Sequence, residues 1–593
     1  MNDGNITTIG QVIKQRGTDS RHKDRVFMYF EDERLTFGDY LDSCTRYANM
    51  LLRVKAEKSP EHFHVGVLMQ NYPEFLITLG ACALAGATLS GINTGQKGAM
   101  LGRDIEFTDC MLLITDNTYL PEVEAVIDDL AIINRQDVLV NNFRDEDKTL
   151  PRGYVGLGEK LAETEAVLGS LAFAAAPDID VDPETNLMII FTSGTTGAPK
   201  GIINSHKKLL GLSTSTVAGM NFTENDVAYG VMPHFHSNSV YLAYTPALVC
   251  AGGIAFRRKF SASGFLPDIK KFGVTTFNYV GKPLVYILAA TEGIVDHDNR
   301  LRIAIGNGAS GVEQKLFRER FGLDWVMELF GSTEGGATVI RMPGDPEGSV
   351  GAMPPKLKLF REEDGKETEP ARIDENGQLL NYSKAVGEII NTGGLDSFEG
   401  YYKNEEATNK KAAGGMFHTG DLAYYCLGEK DGQPARFMYF VGRTGDWLRK
   451  DGENYLSEPI VDIINSYPPV FLSAVYGVPC YQADELIMVS LKLADGETFD
   501  PQDFYNFISN HASMIEKWRP DFVRILQDLP QTETIKINPK DLKKEFYNLE
   551  TFTDPLYWRE RGGTSFKPFL LEDFNGLKFQ FVQSGRANQL VRG

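Results

Sequence analysis

Residues 191–201 read FTSGTTGAPKG, and they continue the apolar run NLMIIF at 186–191, with which they share Phe191. Glycine lets backbone N–H groups approach an anion closely, while hydroxyl and lysine side chains add donors and positive charge. The stretch therefore predicts a strand followed by a polyphosphate-binding loop. It is not a Walker A loop, which needs Gly directly before its Lys, because Pro199 precedes Lys200 here. The candidate phosphate ligands are Thr192, Ser193, Gly194, Thr195, Thr196, Gly197 and Lys200.

Length and composition limit what this loop can serve. The chain has 593 residues, which is long for one hydrophobic core and predicts two or more domains. A net charge of −20 argues against a nucleic-acid partner, since a phosphate backbone would be repelled. Six widely spaced cysteines form no CxxC pair, and the first twenty residues contain no apolar signal sequence. We therefore expect a cytoplasmic protein with reduced thiols.

Short apolar runs alternate with helical patterns through residue 340. Besides NLMIIF, these runs are HVGVLMQ at 64–70, CMLLITD at 110–116, QDVLVNN at 136–142 and TTFNYV at 275–280. Such alternation predicts α/β layers with largely parallel strands. Residues 341–400 are rich in Gly, Pro and charge, which predicts a smaller β-rich section, and an α/β pattern resumes further along the chain.

One apolar segment approaches the length of a membrane span. Residues 75–92 carry no charge over eighteen positions, although three glycines interrupt them. A helix buried on every side has the same composition, and no second such segment occurs, so we favour burial. The sequence leaves peripheral membrane contact open, since a lipid-like substrate would arrive from a bilayer, and it leaves a homodimer open as well.

The segment VMELFGSTEGG at 326–336 supplies groups that a nucleotide needs. Phe330 offers a flat face that can stack on a base, and Thr333 offers a hydroxyl. Magnesium prefers one or two carboxylates together with phosphate oxygens, so Glu334 is a candidate bridge to a triphosphate.

Three segments nearer the C-terminus offer further polar groups. Asp421, in FHTGDLAYY, follows a glycine turn and can accept hydrogen bonds from two ribose hydroxyls. Arg443 and Arg449, in GRTGDWLRKDGEN, present donor forks to phosphate or ribose. Lys536 lies in the polar, turn-like stretch TETIKINPKD.

Taken together, these segments resemble the adenylate-forming superfamily of acyl-CoA synthetases and firefly luciferases. The matching motifs, in family order, are FTSGTTGAPKG, PHFHSN, GNGAS, FGSTEGG, FHTGDL, GRTGDWLRKDGEN and TETIK. Within the superfamily, GNG at 306–308, GDWLRKDGEN and DPLYW at 554–558 resemble the fatty-acid-transport-protein, or very-long-chain, branch. RRKFSASGF and NYVGKPLVY are similar to a bacterial subgroup of that branch tied to steroid side-chain breakdown.

The resemblance implies a fold and a division into domains. The fold is α/β, with a large N-terminal domain of several subdomains built from mixed sheets and helices, and a small mobile α/β C-terminal domain. The implied N-terminal domain, 1–445, binds ATP and the acid. The implied C-terminal domain, 446–593, carries Lys536 and swings about a hinge at Asp446.

The resemblance also implies a two-step ligation that uses ATP, Mg²⁺ and coenzyme A. A carboxylate attacks the α-phosphate of ATP to give an acyl-adenylate and pyrophosphate, and the thiol of coenzyme A then displaces AMP. The expected substrate is a large hydrophobic acid, with a steroid side-chain acid preferred. The alternatives are a medium- or long-chain fatty acid, transfer of the adenylate to a carrier protein, a luciferase-type oxygenase, or a non-catalytic import protein.

Each matching motif implies roles for particular residues. The implied catalytic residues are Lys536, Thr333, Glu334 and Arg449. The residues implied to bind the nucleotide, in addition to the phosphate loop, are Gly306, Asn307, Gly308, Glu328, Phe330, Gly331, Asp421 and Arg443. The residues implied to bind the acid are His236, Tyr279 and Gly281, and the implied metal ligands are Thr192 and Glu334.

Two positions depart from the superfamily pattern. Phe330 stands where many members have Tyr, so it keeps the stacking face and lacks the hydroxyl. Ile535 stands directly before Lys536, where most members outside the transport-protein branch have Gly.

Overall fold

The computed structural model describes residues 6–591 except 147, 193–199, 310, 375–378, 396, 444–446, 451–452, 483–484, 512, 534 and 561. The chain divides into two compact units. The first comprises residues up to 338 together with 394–417, and the second comprises 339–393 together with 418 onward. The domain boundary predicted at Asp446 divides the chain differently and stays a prediction, since that residue lies outside the described part.

The first unit contains a seven-stranded sheet that ends in the hairpin of the predicted phosphate loop. Its strands are, in spatial order, Val155–Gly156, Val138–Asn141, Cys110–Asp116, His64–Leu68, Thr88–Gly91, Asn186–Thr192 and Lys200–Ser205. All neighbours are parallel except the last two, which are antiparallel. The apolar runs predicted as parallel strands are confirmed here.

A second sheet of the first unit brings three predicted motifs side by side. These motifs are FGSTEGG, GNG and NYVGKPLVY. Its strands in this unit are, in order, Trp325–Gly331, Ile303–Asn307, Thr276–Val280, Val227–Tyr229, Gly253–Phe256, Val26–Phe30 and Glu33–Thr36. Only the last pair is antiparallel. Ligands of open parallel sheets bind beyond the carboxyl ends of the strands, which is where these motifs lie.

Helices cover these sheets. The α-helices of the first unit are Ile9–Thr18, Phe37–Lys58, Pro73–Ala85, Gly98–Phe107, Leu120–Glu124, Leu157–Leu168, Ser170–Phe173, His206–Gly219, Ser237–Ser239, Thr245–Cys250, Phe265–Phe272, Pro283–Ala290, Gly311–Phe321 and Glu405–Lys411. Several begin at a capping residue: Thr8 and Thr36 each accept a hydrogen bond from a backbone N–H of the first turn.

The apolar segment 75–92 is a buried helix and a strand. Every residue of the helix Pro73–Ala85 is buried, as predicted. Gly86, at φ +62°, ends that helix, and the chain continues as the central strand Thr88–Gly91. No helix in the described part of the chain is long and apolar enough to cross a membrane.

The second unit opens with the predicted β-rich section. Its five-stranded sheet contains, in order, Gly351–Ala352, Gln433–Arg443, Phe417–Lys430, Gly387–Asn391 and Leu357–Phe360. The long hairpin formed by the second and third of these strands is antiparallel, and so is the pair at the far edge.

The remainder of the second unit is a smaller α/β arrangement. A hairpin, Trp447–Lys450 with Glu453–Leu456, precedes a sheet ordered Val470–Pro479, Glu485–Leu493, Phe522–Leu526, Leu556–Trp558 and Lys567–Pro568. The α-helices of this unit are Tyr382–Ala385, Glu458–Asn465, Pro501–Asn510, Lys540–Glu545 and Leu571–Gln583. The α/β pattern predicted near the C-terminus is confirmed.

Candidate active site

The two ends of the predicted phosphate loop face each other. Thr192 and Lys200 are the last register pair of the antiparallel strands Asn186–Thr192 and Lys200–Ser205. Both side chains are half-buried. The predicted ligands between them lie outside the described residues; they are Ser193, Gly194, Thr195, Thr196 and Gly197.

Tyr401 links this hairpin to the predicted metal ligand. The Nζ of Lys200 lies 5.1 Å from the centre of the Tyr401 ring. The hydroxyl of the same tyrosine donates a 2.8 Å hydrogen bond to Oε1 of Glu334. The two predicted metal positions, Thr192 and Glu334, are thus connected through Lys200 and a tyrosine that the motifs did not single out.

The loop that carries Glu334 is anchored at Thr333. The hydroxyls of Thr333 and Ser237 share a 2.8 Å hydrogen bond. The Thr333 carbonyl accepts hydrogen bonds from Tyr241, at 3.1 Å, and from the Nζ of Lys208, at 3.4 Å. Because three side chains hold this one residue, the adjoining carboxylate is placed by the surrounding fold.

Lys208 is a buried cation beside this loop. Its side chain is on the helix His206–Gly219, and its Nζ also donates to the Ile203 carbonyl at 3.1 Å. Burial lowers the pKa of Lys208 to about 8, while the nearby carboxylates of Glu399 and Glu334 act in the opposite direction. The sequence did not indicate that Lys208 is a buried lysine that supports the loop at Thr333, since two consecutive lysines at a helix start are typical of a solvated face.

Three predicted residues lie in one row across the second sheet of the first unit. Tyr279 is the register partner of Gly306, and Gly306 is the register partner of Glu328. A Cβ added at Gly306 would lie 2.2 Å from the Tyr279 carbonyl oxygen. Only glycine fits between these strands, which explains the first Gly of the GNG motif.

The turn that follows Gly306 packs just as closely against the segment that follows Tyr279. Gly308 and Gly281 adopt φ values of +86° and +73°, which favour glycine. A Cβ at Gly308 would lie 3.2 Å from the Gly281 Cα, and the Gly281 N–H donates to the Asn307 carbonyl at 2.9 Å. The predicted nucleotide turn and the predicted acid-binding segment are therefore direct neighbours.

Glu328 is held from two sides. Its Oε1 accepts from the Gly308 N–H at 3.1 Å, and its Oε2 accepts from the Gln314 Nε2 at 2.8 Å. Gln314, on the following helix, is a supporting residue that the motifs did not indicate. On the same strand as Glu328, Phe330 is buried and Gly331 is exposed at the strand end.

His236 has a local structural partner. Its Nδ1 accepts a hydrogen bond from the Asn238 N–H at 3.2 Å and so caps the short helix Ser237–Ser239. The Nδ2 of Asn238 donates to the Tyr279 carbonyl at 3.1 Å, which connects His236 to the row of strands. A role for His236 in binding the acid stays a prediction.

In the second unit, Asp421 and Arg443 are register partners on the long antiparallel hairpin. Asp421 is buried, and its N–H donates to the Thr419 hydroxyl at 3.0 Å. The Arg443 side chain lies outside the described part of the chain. The backbone register brings together the two residues predicted to contact ribose.

Arg449 lies on the strand Trp447–Lys450, and its side chain is also outside the described part. Its two neighbours attach this strand to the C-terminal sheet. Leu448 is buried in the same core as Ile460 and Ile487, and the Lys450 Nζ contacts Asp521 Oδ2 at 2.6 Å. The strand that begins after Asp446 therefore packs against the C-terminal sheet.

Lys536 is exposed on a tight turn. Its N–H donates to the Thr532 hydroxyl at 3.2 Å, and its carbonyl accepts from the Thr532 N–H at 2.9 Å. Ile535 adopts φ +60°, the left-handed conformation that favours Gly at this position. Ile535, which stands where most superfamily members have Gly, is thus a β-branched residue in a conformation that favours glycine.

The family follows from comparison with known proteins. A family model described as AMP-binding enzyme matches residues 16–402. The chain belongs to the AMP-binding enzyme family. A steroid-22-oyl-CoA synthetase of Rhodococcus jostii (strain RHA1) is 36% identical over 526 residues, covering 88% of this chain and 89% of that protein. The predicted superfamily is therefore confirmed.

Two further known proteins are similar to this AMP-binding chain. A medium/long-chain-fatty-acid–CoA ligase, FadD17, of Mycobacterium marinum (strain ATCC BAA-535 / M) is 35% identical, covering 87% of this chain and 92% of that protein. The crystal structure of the anthranilate CoA ligase AuaEII in complex with anthranoyl-AMP superposes with a TM-score of 0.76 at 18% identity, covering 92% and 98% of the two chains. The α/β fold and the class of AMP-forming acyl-CoA ligase are confirmed.

Proposed function

We propose that this AMP-binding enzyme activates a large hydrophobic carboxylic acid, with a steroid side-chain acid preferred. In the first step, a carboxylate oxygen bonds to the α-phosphorus of ATP and the bond to pyrophosphate breaks. In the second, the sulfur of coenzyme A bonds to the acyl carbon and the bond to AMP breaks. The first step brings an anion against a polyanion, so the site must neutralise charge as it develops.

The residues of the first unit fit a nucleotide. A Cβ at Gly306 would lie 2.2 Å from the Tyr279 carbonyl oxygen, and one at Gly308 would lie 3.2 Å from the Gly281 Cα, so glycine lets these strand ends and their turn pack closely. This close turn is the proposed edge of the adenine site. Phe330 is the proposed stacking face and Glu328 a polar neighbour. In the second unit, Asp421 is the proposed ribose contact, together with its register partner Arg443.

The donor set also fits magnesium. Glu334 supplies a carboxylate and Thr192 a hydroxyl, which are oxygen ligands of the kind this ion takes beside phosphate. When bound, magnesium would neutralise charge on the triphosphate. Lys200 is the proposed phosphate contact, and Lys536 is proposed to bring the carboxylate and the α-phosphate together.

The observation that supports a hydrophobic acid is the lack of charge in the two segments proposed to line its pocket. SNSVYLAYTP at 237–246 has no charged residue, and NYVGKPLVYILAA at 278–290 has only Lys282. That lysine lies 3.6 Å from Glu313, which balances its charge. Each buried methylene adds about 0.8 kcal/mol to binding, whereas a polar acid would lose hydration without a partner.

A panel of acids tests this proposal. Pyrophosphate release is measured with acetate, a straight-chain fatty acid and a C24 steroid acid, each with and without coenzyme A, and thioester is measured in parallel. We expect acetate to be poor, both large acids to be good, and thioester to form only with coenzyme A. Adenylate without thioester would favour transfer to a carrier protein, and absence of pyrophosphate with every acid would reject the ligase.

The medium- or long-chain fatty acid remains the second candidate, because the fatty-acid ligase FadD17 and the steroid-22-oyl-CoA synthetase are almost equally similar to this chain. Competition between a C24 steroid acid and a fatty acid distinguishes them. A kcat/KM that favours the fatty acid tenfold, about 1.4 kcal/mol in the transition state, would reverse the preference and leave the ligase proposal intact.

We also propose that the C-terminal part from Asp446 moves as one body between the two steps. The packing of Leu448 and the Lys450–Asp521 ion pair support a pivot before residue 447. A cytoplasmic location is proposed as well, because all six cysteines are free thiols.

A further inference from the structure

Tyr401 is held rigidly in the first unit. It is 5% exposed, forms an antiparallel bridge with Ile202, and donates its N–H to the Thr408 hydroxyl at 2.9 Å. Its ring packs against Phe398 with centroids 5.4 Å apart. The backbone of 400–402 pairs with the strand Lys200–Ser205. This pairing fixes the position of the Tyr401 ring.

The same side chain touches two predicted ligands in different ways. Its hydroxyl donates to Glu334 Oε1 at 2.8 Å, which restricts the orientation of that carboxylate. Its ring face lies under the Lys200 ammonium, 5.1 Å from the ring centre. A ring attracts a cation without supplying a counter-charge, so the full positive charge of Lys200 is retained for an anion.

We propose that Tyr401 is a positioning residue for adenylation, which orients Glu334 toward a divalent cation through its hydroxyl and holds Lys200 toward the triphosphate through its ring. The inference rests on the proposed function, which makes these two residues ligands of magnesium and phosphate.

The chain offers a matched control at the next residue. The Tyr402 hydroxyl donates a 2.6 Å hydrogen bond to Asp109, a carboxylate outside the proposed site. Tyr402→Phe therefore removes a tyrosine–carboxylate bond of the same kind, one position along the same segment, without touching Glu334.

The first experiment titrates Mg²⁺ at fixed ATP and a saturating acid. We expect Tyr401→Phe to raise the Mg²⁺ concentration for half-maximal pyrophosphate release about tenfold, with the rate at saturating Mg²⁺ within about threefold of the parent. Tyr402→Phe should match the parent in both. An unchanged Mg²⁺ requirement in Tyr401→Phe, or an equal change in the two variants, overturns the inference.

A double-mutant cycle tests whether Tyr401 acts through Glu334. Adding Tyr401→Phe to Glu334→Gln should change the Mg²⁺ requirement less than twofold, because the oriented carboxylate is already gone. The full tenfold effect on that background would contradict the inference. Tyr401→Leu, which removes the ring as well, should additionally raise the KM for ATP relative to Tyr401→Phe.

Calorimetry of ATP binding at several Mg²⁺ concentrations, without acid, separates this inference from the proposed function. If the parent binds ATP with Mg²⁺ but forms no adenylate, the ligase proposal fails. Weaker Mg²⁺-dependent ATP binding in Tyr401→Phe than in Tyr402→Phe would still support the positioning role in that case. Mg²⁺-dependent ATP affinity that is equal in the parent and Tyr401→Phe rejects the positioning role even in an active enzyme.

Discussion

The adenine side of the proposed site and the proposed catalytic lysine are held in opposite ways. Gly306 lies between Tyr279 and Glu328 on three parallel strands, with no space for a Cβ. Lys536 is exposed on a turn whose bonds run to Thr532, four residues away. Gly306 is fixed by a sheet, whereas Lys536 is held by hydrogen bonds within its own short segment.

This difference has a chemical meaning in a two-step reaction. A nucleotide must stay in place through both steps, which favours a rigid frame whose groups need no reorganisation. A lysine that serves only the first step can be carried on an element that leaves. We therefore predict that changes in the sheet that carries Gly306 affect both half-reactions, and that changes in the proposed mobile part, from Asp446 onward, separate them.

The largest expected effect comes from Lys536→Ala. Adenylate formation should fall on the order of a hundred-fold or more, as when a key electrostatic donor is removed. Conversion of supplied acyl-adenylate to thioester should stay close to that of the parent. Single-turnover measurements of each half-reaction check this. Loss of the second half-reaction as well would give the lysine another role.

Asp446→Pro should produce the reverse pattern. Proline fixes φ and removes a backbone donor, so a pivot at this residue would lose its freedom. We expect thioester formation from supplied adenylate to fall by roughly tenfold or more, with a much smaller loss in adenylation. Asp446→Ala, which keeps the dihedral freedom, is the control. An equal loss of both half-reactions in the proline variant would remove the hinge from Asp446.

Gly306→Ala tests the rigid side. The added Cβ would meet the Tyr279 carbonyl at 2.2 Å, and such overpacking costs typically about 1–3 kcal/mol. The KM for ATP should rise about tenfold, and the melting temperature should fall. Gly311→Ala is the matched control, since a Cβ at that position would meet no described atom within 4 Å beyond its chain neighbours and the backbone of its own helix. Equal behaviour of the two variants would show that the strands have room to spread.

The stability of the first unit should also depend on pH, through the buried side chain of His206. Burial lowers the pKa of His206 to about 4, below its unfolded value of about 6.5. Between these values the unfolded chain binds a proton that the folded chain does not, so the free energy of unfolding falls as pH decreases from 6.5 to 4. His206→Gln should reduce that slope by up to about 1.4 kcal/mol per pH unit.

His62→Gln, at an exposed histidine, is the control for this slope. Denaturant unfolding at several pH values measures both variants. If the slope is the same in His206→Gln and in the parent, then His206 takes up its proton equally in the folded and unfolded chains.

The smallest effect is expected at Ile535→Gly. A left-handed residue other than glycine costs about 1–2 kcal/mol, so glycine should preserve or slightly raise the melting temperature while adenylation stays within about threefold. Ile537 forms a bridge with Gln531, so Ile537→Gly should lower the melting temperature instead. A similar loss in both variants would show that Ile535 is not strained.

Local patterns in the sequence were sufficient to predict much of this protein. The apolar runs at 64–70, 110–116 and 186–191 predicted parallel strands correctly. A strand that is buried on both faces consists of consecutive apolar residues, so its sequence alone indicates it. The order of the motifs predicted the family, because each motif is a run of consecutive residues.

Only the tertiary structure showed what supports the predicted ligands. Tyr401 contacts Glu334 across 67 residues, and Lys208 contacts Thr333 across 125. Neither has a motif of its own: a lysine after another lysine is typical of a solvated face, and tyrosine is common in any core. Their roles depend on which strands and loops become neighbours in the first unit, and that is decided by long-range packing, which no local pattern in the sequence records.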